Sequence, residues 1–181
     1  MRILVALCMA ALGLTVACGR KESSAPAPAT QPATAAAPKL PETAASGLVR
    51  DSMEVEGQTV AIDHSPFDLG RVQDLFDRDK DSFARTAHAN PAVVTLNFSK
   101  PRSIKGVEVT TATMNIALKC VATLEGDGEK TFSREYRNLP ADPTVSLEFP
   151  GLSRPVTRLR IEIANPDGGD GHIHIRTLRL L

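Results

Sequence analysis

The feature that most narrows the fold is a two-residue alternation of apolar and polar side chains, repeated in run after run along the chain. Val94, Leu96 and Phe98 alternate with Thr95 and Asn97, and Val145, Leu147 and Phe149 alternate with Ser146 and Glu148. Leu159, Ile161 and Ile163 alternate with Arg160 and Glu162. The longest stripe is Ile116, Leu118, Cys120, Ala122 and Leu124, which places Cys120 in the core. A strand points successive side chains to opposite faces, so this period marks half-buried strands and excludes helices of useful length. Turn-forming residues separate the runs: Ser99-Lys100-Pro101, Asp127-Gly128, Leu139 to Pro143, and Asn165 to Gly171. Glu125-Gly126-Asp127-Gly128 between two runs reads as a hairpin. Only Leu69 to Phe76 has the pattern of a short helical turn. About eight such strands with no long helix predict an all-β, antiparallel two-sheet sandwich or barrel. Near the end the apolar positions switch from odd (Ile173, Ile175) to even (Leu178, Leu180). A strand keeps one face through such a switch by inserting a residue, so a bulge is expected around Arg176-Thr177.

The first 46 residues have a different character. Met1-Arg2 is followed by an uncharged run from Ile3 to Val16, too short to span a bilayer and of the length of a secretory signal core. Thr15-Val16-Ala17-Cys18 resembles the lipobox of bacterial lipoproteins, with Thr15 where Leu is more usual. The resemblance implies cleavage after residue 17 and acylation of Cys18, which would anchor the chain in the membrane. Gly19, in the slot where an Asp implies inner-membrane retention, points to the outer membrane, facing the periplasm or the cell surface. An ordinary signal peptide with a cysteine near its cut is the alternative. Residues 18–46 are then a lipidated tether of Ala, Pro, Ser and Thr without aromatic residues, expected to be disordered because it buries too little apolar surface. Fully extended it would reach roughly 85 Å. Residues 47–181 form the domain, a normal size for one core.

Composition removes several function classes. With 21 basic and 21 acidic residues the chain carries no net charge, hence no electrostatic footprint for nucleic acid. Cys8 leaves with the signal and Cys18 takes lipid, so Cys120 alone can form neither an internal disulfide nor a multi-cysteine zinc site. No Gly-x-Ser-x-Gly elbow, His-Glu-x-x-His motif or phosphate loop is present, and the chain reads as non-enzymatic.

Val72-Gln73-Asp74-Leu75-Phe76-Asp77-Arg78-Asp79-Lys80-Asp81-Ser82-Phe83 resembles the early loop of discoidin domains, the coagulation-factor C-type, galactose-binding-like family. Val93 to Val109, the Asp127-Gly128 hairpin and the closing Gly169 to Leu178 are similar to later parts of the same family, so the resemblance spans about Leu48 to Leu181. It implies an eight-stranded antiparallel jelly roll that binds glycans, lipid head groups or proteins without catalysis. It also implies a structural calcium, with Asp77 and Ser82 in two of its ligand positions and Asp79 and Asp81 adding charge. Thr177 falls where the family has a Glu, a lost carboxylate that weakens such a site. An EF-hand is excluded, since Ser82 and His88 stand where that loop needs Gly and Glu. The competing reading of Asp77 to Asp81 is a solvated acidic turn balanced by Arg78, Lys80 and Arg85.

For the ligand, the family implies a stacked aromatic ring and polar clamps. The chain has no Trp, one Tyr and six Phe, and lacks the family's Arg near Thr111 to Thr113. His88 and Asn90 in a loop and Asn115, which loosely matches a family Asn, are the ligand candidates. His172-x-His174 puts two imidazoles on one strand face, with Asp170 the nearest third metal ligand. Two functions follow: a recognition module on a lipid tether that binds a glycan or an envelope partner, or an accessory subunit of an envelope complex that makes only protein contacts.

Overall fold

The computed structural model describes residues 42–43, 47–79, 81–126, 128–168 and 171–181. The expected signal, Cys18 and the tether apart from residues 42–43 lie outside the described residues, as do Lys80, Asp127 and Asp170.

Two antiparallel sheets face each other, giving the jelly-roll sandwich that the alternation and the family resemblance imply. The larger contains β1 (Glu42–Thr43), β2 (Val49–Val55), β3 (Gln58–His64), β6 (Ala92–Arg102), β11 (Val156–Ala164), β8 (Ile116–Leu124) and β9 (Glu129–Tyr136), in that spatial order. The smaller contains β10 (Thr144–Glu148), β7 (Gly106–Thr111), β12 (His174–Leu180), β5 (Ala84–Thr86) and β4 (Phe67–Leu69). The twelve strands exceed the expected eight or so mainly because β1, β4 and β5 are only two or three residues long and carry no readable period. β1 comes from the segment read as tether and pairs with β2, so the ordered sheet begins before residue 47.

The alternation maps onto the core. Along β8, Ile116, Leu118, Cys120, Ala122 and Leu124 are buried while their neighbours are not. They pack with Leu159, Ile161 and Ile163 of β11 and with Val107, Val109, Ile175 and Leu178 of the smaller sheet. Removing such side chains from water is worth about 1.5–3 kcal/mol each. Burial pushes the Cys120 thiol up to about 12, so it stays protonated and acts as a small apolar filler. β6, central in the sheet between β3 and β11, departs from strict alternation: Ala92 to Leu96 are all buried. On the outward face the Arg50 guanidinium, 2.6 Å from Asp63, holds that carboxyl below the usual carboxylate range. Asn97 supports the same carboxylate. That stabilisation is present above the normal Asp range and is lost as pH falls through the depressed value.

Three local expectations hold. A 3-10 turn spans Val72–Leu75, with the Asp74 carboxylate accepting from the Arg71 backbone N–H. β12 is bulged, its register against β7 shifting between Ile175 and Thr177, and both Ile175 and Leu178 stay buried. Gly128 closes the β8–β9 hairpin through the Leu124 N–H.

Candidate functional site

Antiparallel pairing gathers four connections at one end of the sandwich: residues 87–91, 112–115, 137–143, and the described parts of the last, 165–168 and 171–173. Polar side chains lock them together. Asn90 Nδ2 donates to the Asn165 and Gly168 carbonyls at 3.0 Å each, and its Oδ1 accepts from the Asn165 N–H at 3.1 Å. Both amide hydrogens and the oxygen are thus used inside the protein. Asn115 donates to Asp167 and accepts from the Asn138 N–H at 2.8 Å. Arg137 bridges Glu135 and Asp167. Asn115 first, then Arg137, holds the Asp167 carboxyl below its usual range. His88 is the exception among the three ligand candidates: it is exposed, and its ring lies against His172.

His172 and His174 do share one strand face, with Ile173 and Ile175 buried on the other. The Nδ1 atom of His172 lies 2.6 Å from the Thr86 carbonyl. His174 belongs to a second cluster that local sequence could not reveal. Its ring stacks on Phe83 at 5.8 Å between centroids, and the Arg176 guanidinium sits 5.8 Å from the same phenyl ring. Arg176 Nε donates to Asp142 at 3.0 Å. Phe83, His174, Arg176 and Ala112 line a shallow hollow of about 40 Å³ on the outer face of the smaller sheet. The readable signal was the even-numbered outward row His172, His174 and Arg176; Phe83 joins it only because β5 pairs with β12. On the neighbouring strands, exposed Asp68 and part-buried Arg85 form a bidentate ion pair at 2.9 Å, which holds the Asp68 carboxyl below its usual range.

The acidic loop is compact. Ser82 Oγ lies 3.0 and 2.9 Å from the two Asp77 carboxylate oxygens, 2.9 Å from the Asp79 carbonyl and 3.3 Å from the Asp74 carbonyl. The Asp79 carboxylate accepts from the Asp81 N–H, so Asp79 faces the cluster with its carbonyl. The Thr177 hydroxyl donates to Thr110 Oγ1 at 3.0 Å, on the β7 side of β12. Among the described residues no three His, Cys, Asp or Glu side chains come together as a metal-binding group.

No protein-family model matches the sequence, and no curated protein matches it. Solved structures do match in fold. An F5/8 type C domain from Bacteroides fragilis is 12% identical over 72% of this chain and 95% of its own, with a TM-score of 0.56. The CBM32 module of AlyQ in complex with 4,5-unsaturated mannuronic acid is 10% identical over 72% of this chain and 98% of that one, with a TM-score of 0.53. A CBM32 module produced by Clostridium perfringens, in complex with GlcNAc-α-1,4-galactose, is 14% identical over 72% and 94%, with a TM-score of 0.51. The domain has the discoidin-like fold.

Proposed function

We propose that this chain is a non-catalytic recognition module that binds a carbohydrate in the Phe83 hollow and is displayed from the outer membrane by a lipid on Cys18. The observation that carries the reading is the composition of the hollow. A half-exposed phenyl face is bordered by the Arg176 guanidinium as donor, the Asp142 carboxylate as acceptor and the His174 ring. A pyranose presents the complement, an apolar C–H face rimmed by hydroxyls. Stacking on the ring adds about 0.5–1.5 kcal/mol to area burial, and the shallow, solvated rim suits millimolar affinity, about −4 kcal/mol. The discoidin-like fold and the glycan complexes of its structural neighbours support the same reading. Asn90 and Asn115 then act behind the site by holding its loops, and His88 stands beside it.

A glycan array probed with the detergent-solubilised chain, followed by calorimetry on the best hit, tests this. Phe83→Ala is expected to weaken binding at least tenfold, about 1.4 kcal/mol. Unchanged binding by that variant would move the site elsewhere. Absence of any glycan hit would favour the second reading, an envelope subunit that makes only protein contacts. Met114, 58% exposed at the same loop end, supports that alternative.

The anchor has its own test. Cys18→Ala is expected to shift the protein from the membrane fraction to the soluble periplasm. Wild-type protein found soluble and unlipidated would remove the tether from the reading.

The acidic loop fits a calcium ion of modest affinity. One hydroxyl hydrogen on Ser82 cannot serve four acceptor oxygens, so the cluster is short of positive charge. Asp77, Ser82 and the carbonyls of Asp74 and Asp79 would hold the ion, which would supply that charge and stiffen the loop next to Phe83. Five oxygens fall short of the six to eight that calcium takes, and the Thr177 hydroxyl donates to Thr110 instead, so water would complete the shell. Saturating millimolar calcium is expected to raise the melting midpoint by several degrees, since occupancy at 100 times Kd is worth about 2.7 kcal/mol. Asp77→Ala should abolish the shift, and chelator should leave the domain folded. No shift in the wild type would reduce the loop to a solvated turn.

A further inference from the structure

We propose that a cleft at the far end of the sandwich binds a short zwitterionic peptide, with one aliphatic side chain seated between the two sheets. The inference is independent of carbohydrate binding, and the cleft shares no lining residue with the Phe83 hollow. β2 and β12 both run away from the four clamped connections, ending at Val55 and Leu180. There the β2–β3 turn, the chain after the 3-10 turn and the close of β12 surround a space of about 80 Å³.

The floor of the cleft is an unsealed end of the core. Val55 comes from the larger sheet and Leu178 and Leu180 from the smaller; all three are buried, and half-buried Phe76 packs beside them. A water needs about 10–15 Å³ of such space, so several fit. These four side chains offer none of the roughly three hydrogen bonds that a confined water makes. An aliphatic group that displaces poorly held water gains affinity, and the gain follows the apolar surface it covers.

The rim carries two carboxylates, Glu54 and Glu56, and two guanidiniums, Arg78 and Arg179. One of each sign is engaged by a residue outside the cleft. Glu56 accepts from Arg102 at 2.7 Å, and Arg179 donates to Glu108 at 3.0 Å. That leaves Glu54 and Arg78, both exposed and without a hydrogen-bond or ion-pair partner among the described residues. Glu54 belongs to β2, and Arg78 to the acidic loop, where left-handed backbone at φ 65° holds it. One open charge of each sign therefore stands above an apolar floor. A polyanion or a polycation would meet a repelling group on such a rim. A peptide supplies the complement: an ammonium for Glu54, a carboxylate for Arg78 and an aliphatic side chain for the floor.

Alanyl-leucyl-alanine titrated into the isotope-labelled, detergent-solubilised full chain, followed by amide NMR, tests this. Shifts should centre on Val55, Phe76 and Arg78 and saturate with a Kd of about 1 mM. Glu54→Ala and Arg78→Ala should each weaken binding about two- to fivefold, the range of an exposed ion pair. Both positions are exposed, so both variants should keep the wild-type melting midpoint. Acetylating the peptide amine should abolish the effect of Glu54→Ala, and amidating its carboxylate the effect of Arg78→Ala. Triglycine, with the same charges and no side chain, should bind about tenfold more weakly or worse. The proposal is overturned by an absence of shifts at ten times that Kd, or by shifts confined to the Phe83 hollow. Triglycine or doubly blocked peptide binding as well as alanyl-leucyl-alanine would also overturn it. A glycan-negative chain that passes these tests would sink the carbohydrate reading and leave this one standing.

Discussion

Gly70→Ala is expected to destabilise the domain by about 3–5 kcal/mol and lower its melting midpoint by roughly 10–20 °C. Gly70 lies between β4 and the 3-10 turn with φ +74°, and a Cβ there would sit 2.1 Å from the Phe83 carbonyl oxygen and 2.9 Å from the Ala84 Cα. Both contacts are to backbone, so no side-chain rotation relieves them. Left-handed backbone adds about 1–2 kcal/mol for any L-residue. Gly57→Ala supplies the control. Its φ is +79° but nothing lies within 4 Å of the added carbon, so it carries the conformational cost alone. Denaturant melts of the two variants should therefore differ by at least about 2 kcal/mol. Equal destabilisation would mean that β4 and β5 are not packed as closely as described. Because the displaced carbonyl belongs to Phe83, Gly70→Ala should also weaken any ligand held in the hollow.

The second large effect is expected at Asn90, and it separates two roles that the sequence leaves open. As a ligand residue, Asn90 would be dispensable for folding; as a clamp on residues 165–168, it is not. Its three hydrogen bonds satisfy part-buried backbone groups of Asn165 and the exposed carbonyl of Gly168. Removing the amide strands those groups at about 1–3 kcal/mol, less where water can enter. Asn90→Ala should thus cost about 2 kcal/mol without ligand present, or roughly 6–10 °C in the midpoint. Asn90→Asp, which sets a carboxylate oxygen against the Asn165 and Gly168 carbonyls, should cost at least as much. A melting curve unchanged by Asn90→Ala would return the side chain to the ligand.

Much of the fold was legible because alternation is a property of neighbouring residues. The pleat forces Ile116, Leu118 and Cys120 to one side whatever the rest of the chain does, so the core stripe of β8 could be read residue by residue. The β12 bulge was legible for the same reason, since a break in the odd-even phase from Ile175 to Leu178 has one local remedy. The outward positions of His172 and His174 followed from the burial of Ile173 and Ile175.

What alternation cannot specify is which outward residue meets which. Asn90 and Asn115 have the composition of ligand residues, and only the convergence of the loops shows that both amides also hydrogen-bond within the protein. Family spacing aligns Thr177 with a closing-strand Glu but cannot say that strand register gives its hydroxyl to Thr110. Phe83 meets Arg176, and His88 meets His172, because β5 lies beside β12 in the smaller sheet. Polar partnerships of this kind depend on register and on where loops converge, over separations at which a single sequence carries no periodic signal. The sandwich, its core and its bulge were therefore determined by the sequence alone; the hollow, the imidazole pair and the loop clamps were decided only when the two sheets closed.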